Sequence, residues 1–141
     1  MIDEAFITSY ITDIFENAET AVNLGYTFFF YRDDHMHAFA TIASTGNEYE
    51  KISNLDRLGV YRLNIGVSRE TFQSLFGKSK IDTSAYDFTT LDTVMPHPDY
   101  SSQHFICVLS PSEATFEGHI RALLAEAYDV AKNRYNKRKA N

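Results

Sequence analysis

The stretch "GVYRLNIGV", Gly59–Val67, decides the fold. Its side chains alternate: Tyr61, Leu63, Ile65 and Val67 fall on one side, Val60, Arg62, Asn64 and Gly66 on the other. A period of two marks a strand, and the apolar side marks the face turned to a core. Arg62 and Asn64 on the second side predict a sheet covered by helices on one face only. The second face is then solvated, or it serves a ligand or a partner.

Working outward from this strand, the neighbours follow the same logic. Ser68 stands where an N-cap belongs, "RETFQSLF" supplies two helical turns, and Gly77 fits the C-terminal glycine position. Upstream, "GYTFFFYR" (Gly25–Arg32) and "HAFATIAS" (His37–Ser44), parted by a short polar turn, predict a β-hairpin. Downstream, "FICVLS" (Phe105–Ser110) is apolar on both faces and predicts a strand inside the sheet. Residues 2–20 read as a helix through Ile2, Phe6, Tyr10 or Ile11, Ile14, Phe15 and Ala18. Ser110-Pro111-Ser112-Glu113 fits a capping box with proline in the first turn. The helix it opens, there or at Thr115, runs to about Tyr135 on the stripe Phe116, Ile120, Leu123, Leu124, Ala127, Val130 and Ala131. Residues 45–58 and 78–95 read as connections, the second anchored by Ile81, Tyr86, Phe88, Leu91 and Val94. The expected order is α-β-β-β-α-loop-β-α. It describes an α+β, two-layer domain with a mainly antiparallel sheet flanked by N- and C-terminal helices. One domain over residues 1–141 suits the length.

Composition bounds the function. No apolar run nears the roughly 18 residues of a membrane span, so no membrane partner is expected. The first residues, "MIDEAFITSYI", lack a basic region followed by an apolar one, so no signal peptide is expected. The single cysteine cannot make an internal disulfide, and the cytoplasm is the expected location. The net charge is −6, unevenly spread: residues 132–141 carry five of the thirteen cations and no acid, leaving 8 cations against 19 acids, or −11, in the rest. Such an acidic body repels a phosphate backbone, and broad nucleic-acid binding is disfavoured. The basic tail reads as the solvated end of a helix, where cations meet the negative end of the dipole. It offers no apolar stripe, so loss of Tyr135–Asn141 is expected to leave the fold nearly intact.

The densest chemistry lies in "VMPHPDYSSQHFICV", Val94–Val108. A catalytic reading makes His97 a general base, Tyr100 a donor and Cys107 a nucleophile. A reactive thiolate needs a base and a partly open, electropositive place. Cys107 sits in "FICVL", apolar on both faces, and reads as a buried core cysteine instead. His97 lies between two prolines that force residues 95–97 into extended backbone and aim the imidazole. It is expected at the sheet's rim, with a ring nitrogen bonded to a carbonyl or carboxylate, and it remains the candidate catalytic residue. Arg62 and Asn64, on the open strand face, could hold a carboxylate or phosphate. Arg57 and Tyr100 complete the candidate ligand-binding set, with a salt bridge from an arginine to Asp56, Asp87 or Asp92, or simple protection of a sheet edge, as the structural alternative. "DDHMH", Asp33–His37, is explained by turn chemistry, and no metal is expected there. Without paired cysteines, a glycine-rich phosphate loop or a serine elbow, no cofactor is expected.

"GYTFFFY", "HAFATIA", "SNLDRLGVYRLNIGVSRETFQSLFG", "LDTVMPHPDY" and "FICVLSP" followed by "RALLAEAY" resemble, in this order, an uncharacterised bacterial family of the DUF6194 type, over roughly residues 25–135. A fainter similarity in fold is to the MmcQ/YjbR-like proteins, through Phe39-Ala40, Pro98 to Tyr100, Phe105 and Glu126-Ala127-Tyr128. It implies a sheet-and-helix architecture like that of type III secretion chaperones. His97 and Tyr100 match the family pattern, whereas Phe105 stands where tryptophan is usual and His35, His37 and His104 match no motif position. The YjbR-like group has been called DNA-binding, which the acidic body does not support here.

The leading expectation is a small binding or interaction module that presents an open sheet face to a small molecule, a protein or a second copy of the chain. The alternative is an enzyme acting on a small anionic compound, with Arg62 as anchor and His97 as acid or base. A third reading is nucleic-acid binding through the basic tail. A deep pocket joining Arg62, Asn64 and His97 would favour the enzyme over a flat interaction face.

Overall fold

The structure, a computed structural model, describes residues 2–44 and 51–140. Part of the expected 45–58 connection, residues 45–50, lies outside them.

The chain is α+β. Helix α1 (Glu4–Ile14) starts at Asp3, whose carboxylate accepts from the Phe6 N–H at 2.8 Å. It ends six residues short of the expected boundary, because Phe15 is extended and Asn17 takes a left-handed φ of 68°. Its buried stripe is Ile7 and Ile11, while Phe6 and Ile14 are exposed. Six strands follow: β1 (Ala18–Asn23), β2 (Tyr26–Tyr31), β3 (Ala40–Ala43), β4 (Arg62–Gly66), β5 (Met95–Pro96) and β6 (Phe105–Leu109). They form one sheet in the order β1-β2-β3-β4-β6-β5, with every neighbouring pair antiparallel. The hairpin β2–β3, the alternating β4 and the interior β6 lie where the sequence predicts them. The two edge strands are additions. β1 occupies what reads as the end of the first helix, and β5 the extended backbone before His97.

Helix α2 (Arg69–Phe76) keeps its expected caps: the Ser68 hydroxyl accepts from the Thr71 N–H, and Gly77 takes φ 89°. The last helix differs at its start. Its N-cap is Ser112, not Ser110. Ser110 is buried in a left-handed conformation, and its hydroxyl instead accepts from the Tyr61 N–H at 3.2 Å. A single turn, α3 (Glu113–Thr115), passes through a π-helical turn (Phe116–Ile120) into α4 (Arg121–Ala140).

The helices cover one face of the sheet. Phe29, Tyr31, Ile42, Leu63, Ile65, Ile106 and Val108 pack there against Ile7, Ile11, Phe116, Ile120, Leu124 and Ala127. Each such side chain contributes about 1.5–3 kcal/mol on burial, which makes this the main stabilising layer. The second face has no helix, yet it is not open along its length. Residues Ala43, Leu55, Phe88, Met95, Cys107 and Leu109 form a smaller cluster on it, with Tyr26, Val60 and Tyr86 packed around. The connections before β4 and before β5 fold back over half of this face. Arg62 and Asn64 are therefore 2% exposed each, not solvated as the alternation suggests. Cys107 is fully buried, with its thiol 3.8 Å from the Pro96 carbonyl. Labelling of the native protein with a thiol reagent is accordingly slow, and becomes fast only in denaturant. Rapid labelling under native conditions would show that the covering segments open readily.

The basic tail also departs from expectation. It continues α4 to Ala140, with Lys137, Arg138 and Lys139 in the last turn. It is not merely solvated. Tyr135 packs edge-on to Tyr31 at 5.2 Å, and Arg138 reaches the buried Asp34 carboxylate at 3.4 Å. Burial alone would raise the Asp34 pKa. Arg138, the Met36 N–H and His37 outweigh it and hold the carboxyl below the usual range.

Candidate functional site

Strand register builds the site. Ala21, Phe28, Thr41, Asn64, Cys107 and Met95 lie in register across all six strands, on the helix-free face. The next row toward the rim places Gly66 opposite Phe105. At the end of the face that the connections leave uncovered, a cavity of about 970 Å³ opens and continues round the rim of the sheet to Ala127, Val130, Ala131 and Arg134 of α4. Arg62, Asn64, His97 and Tyr100 all line it.

The floor carries a chain of hydrogen bonds. Arg62 donates through Nε to Asn64 Oδ1 at 2.9 Å and through Nη1 to Ser53 Oγ at 3.0 Å. Asn64 Nδ2 donates to Thr41 Oγ1 at 3.0 Å. The chain fixes the orientation of the Asn64 carboxamide, carbonyl toward Arg62 and amide toward Thr41. A guanidinium excluded from water carries a high desolvation cost, which its interactions within the protein must offset.

His97 borders this floor from the proline turn. Its Nδ1 accepts from the backbone N–H groups of Asp99 and Tyr100, both at 3.0 Å. The His97 backbone N–H donates to the Phe105 carbonyl, continuing the β5–β6 ladder. The turn is thus a structural hinge, as the prolines predict, but the ring bonds to backbone donors and not to a carbonyl or carboxylate. A nitrogen that accepts two N–H bonds has no proton, so the neutral ring carries its proton on Nε2. Burial, helped by the Arg62 charge, pushes the His97 pKa down to about 3. His97 is therefore a fixed neutral donor near pH 7, poorly suited to take up a proton.

The walls are aromatic. Along β2, the rings of Tyr26, Phe28 and Phe30 follow one another at 6.0 Å steps, and His35 stacks on Phe30 at 4.3 Å. Tyr100 and Phe105 stand on the far side, in edge contact at 6.5 Å. Between the walls the strands carry small or short side chains, Thr41, Asn64 and Gly66. Gly66 is required here by a close approach: an added Cβ would lie 2.9 Å from the Phe105 ring. Gly66→Ala is expected to push that ring into the cavity, at about 1–2 kcal/mol of stability. Thermal melting checks the cost, and a shift of the Phe105 ring resonances checks the cause; an unchanged ring would refute it.

Not every predicted residue joins the site. Arg57 lies apart, donating to the carbonyls of Ser53, Asn54 and Thr89. It ties two connections together and makes none of the salt bridges expected of it. His35 pairs with Glu19 at 2.9 Å and His37 lies 3.5 Å from Asp34, at the cavity's rim. Among the described residues, no group of three or more His, Cys, Asp or Glu is placed to hold a metal ion. Sequence reasoning missed Thr41, Phe28 and Phe30 as site residues. That they share a face with Asn64 follows from the pairing register, which no single strand's pattern shows.

These features define a class: a two-layer α+β protein with a ligand-sized cavity that opens on the helix-free face of its sheet and reaches round the rim to its last helix. The chain belongs to the DUF6194 family, a family of unknown function whose sequence model matches residues 2–140. No curated protein matches it. It is similar to the crystal structure of a structural-genomics target, a protein from Pseudomonas syringae, at 18% identity and a TM-score of 0.57. The match covers 93% of this chain and 99% of the other. At that identity the likeness is one of fold. Among the described residues, no helix is long and apolar enough to cross a membrane.

Proposed function

We propose that this protein binds a small organic molecule in the cavity on its helix-free sheet face. The observation that carries the reading is one cavity that joins a buried guanidinium, Arg62, to aromatic walls. Concave sites with apolar walls and a few convergent polar groups are the usual form of small-molecule pockets. The two-layer arrangement implied by the MmcQ/YjbR resemblance supports treating the helix-free face as the working one. A cavity that joins Arg62, Asn64 and His97 speaks for a small molecule and against a flat interaction face, and it is the condition set for the enzyme reading. The alternative, an enzyme with Arg62 as anchor and His97 as acid or base, is weakened at His97. Its Nδ1 is occupied and Nε2 already holds the proton. Nucleic-acid binding through the tail is disfavoured, because Arg138 engages Asp34 and both Arg138 and Lys139 sit over Tyr135.

The test is ligand-observed NMR with a fragment library on the wild type and on Thr41→Phe, which fills the cavity from its floor. Hits that bind the wild type and lose binding in the filled variant support the reading. Hits retained at equal strength by a folded Thr41→Phe would overturn it.

A further inference from the structure

One atom of His97 specifies the ligand more closely, on the reading that the cavity is a ligand site. The side chain is 3% exposed, yet it lines the cavity. Its Nδ1 accepts from the Asp99 and Tyr100 N–H groups, so the ring proton sits on Nε2. Among the described residues, the ring makes no further hydrogen bond. There, too, every side-chain nitrogen or oxygen sealed from solvent has a partner. Nε2 has none, so it is not sealed, and it belongs to the part of the ring that meets the cavity. A donor fixed in an apolar setting without an acceptor is costly, and a ligand that brings one removes the cost.

The rest of the floor has the same character. Asn64 Oδ1 and Thr41 Oγ1 already accept, which leaves one amide hydrogen and a hydroxyl hydrogen to offer. None of these donors is charged, and burial keeps the His97 ring neutral. The Arg62 guanidinium is engaged by Asn64, Ser53 and a further interaction within the protein, and Arg134 is exposed on α4. An anion would thus leave water for neutral donors, in a chain of net charge −6. A cation would need acceptors that the floor has already used. The walls define the body of the molecule. The Tyr100 ring lies 5.0 Å and the Phe105 ring 6.4 Å from the His97 ring, with Tyr26, Phe28 and Phe30 along the other wall. Such walls favour a flat aromatic frame.

We infer that His97 is the recognition residue of the cavity: its Nε2–H donates to a neutral acceptor, a carbonyl oxygen or aromatic ring nitrogen, on an uncharged planar molecule held between the aromatic walls. The frame supplies burial and the single acceptor supplies selectivity.

Three probes of one shape test this by titration at pH 8: isoquinoline, which carries a neutral ring nitrogen; naphthalene, which carries no acceptor; and 2-naphthoate, whose acceptor is charged. Long-range proton–nitrogen NMR of the imidazole reads His97 Nε2, and the Asn64 side-chain amide locates binding in the cavity. The expected result is isoquinoline about tenfold tighter than naphthalene and tighter than naphthoate, with Nε2 shifted by isoquinoline and not by naphthalene. In His97→Asn the asparagine oxygen stands in for Nδ1, and nothing stands in for Nε2. The preference for isoquinoline over naphthalene should disappear in that variant, a ratio that a general loosening of the cavity would not move. Equal affinity for these two probes in the wild type, with the Asn64 amide shifted, overturns the role of His97 and leaves the ligand site standing. A preference retained by His97→Asn overturns it likewise. Tightest binding of naphthoate overturns the choice of an uncharged ligand. If none of the probes shifts either signal, the inference and the ligand site fall together.

Discussion

Deleting Tyr135–Asn141 lowers the melting temperature by roughly 10 °C, although these residues look like a solvated basic tail. Two losses add up. The Tyr135 ring leaves its edge contact with Tyr31, beside Tyr128 and the helix-side core. The Asp34 carboxylate, 5% exposed, loses Arg138 and keeps its burial. A buried charge without its partner costs about 1–3 kcal/mol, and the exposed aromatic surface adds about 1 kcal/mol. A total of about 3 kcal/mol in a chain of this size is roughly 10 °C. Arg138→Met separates the terms, since it removes the charge and keeps most of the apolar stem. Its melting temperature should fall by about half as much. A truncated protein that melts within about 2 °C of the wild type would show the tail contact to be worthless, given the usual scale of such shifts.

The second large effect is acid sensitivity that begins near pH 6.5. His97 has its folded pKa lowered to about 3, from an ordinary value of 6.5. The sign follows from proton counting. Between pH 3 and 6.5 the unfolded chain binds a proton at His97 that the folded chain refuses. The stability is therefore complete above pH 6.5 and is lost as pH falls, at about 1.4 kcal/mol per unit. By pH 5 this one group removes about 2 kcal/mol. Asp34 acts lower, since its depressed pKa delays its loss to below the usual carboxylate range. The windows meet near the ordinary carboxylate value of 3.8, and above it His97 acts without Asp34. His97→Asn tests the assignment. The asparagine carbonyl can accept from the Asp99 and Tyr100 N–H groups as the imidazole does. The variant should lose about 1–2 kcal/mol at pH 7.5 through lost ring burial. It should also lose the slope between pH 6.5 and 5, so that the two proteins are about equally stable near pH 5. Urea melts at half-unit pH steps read this directly. An unchanged slope in the variant would place the acid sensitivity elsewhere.

Half of the candidate site was legible in the sequence. Pro96 and Pro98 made the backbone around His97 predictable, because a proline ring restricts its own φ and the residue before it. The alternation in Gly59–Val67 put Arg62 and Asn64 on one face of one strand. It could not say that Ser53 and Leu55 would fold back to bury them, since that depends on a chain reversal with no periodic signal. Nor could it show that Thr41 lies opposite Asn64, or that Phe28 lies opposite Thr41. Register is a property of strand pairs, and each strand taken alone is consistent with several.

The sequence by itself determined the α+β class, the four interior strands, the caps of the short second helix and the burial of Cys107. Each of these follows from a local pattern: period two, an apolar run, a serine or glycine at a helix end. The two edges of the sheet were decided by tertiary structure. β1 reads "AETAVN", with good helix formers and little burial, and its turn into β2 forces Leu24 to φ 53° beside Gly25. Gly25 suits that turn but Leu24 resists it, and pairing along all of β2 outweighs the strain. β5 contains a proline, which a strand accepts only at an edge, where one side needs no donor. The cavity was likewise a tertiary outcome. It exists because the covering connections stop halfway across the helix-free face, and local sequence has no term for where a neighbouring layer ends.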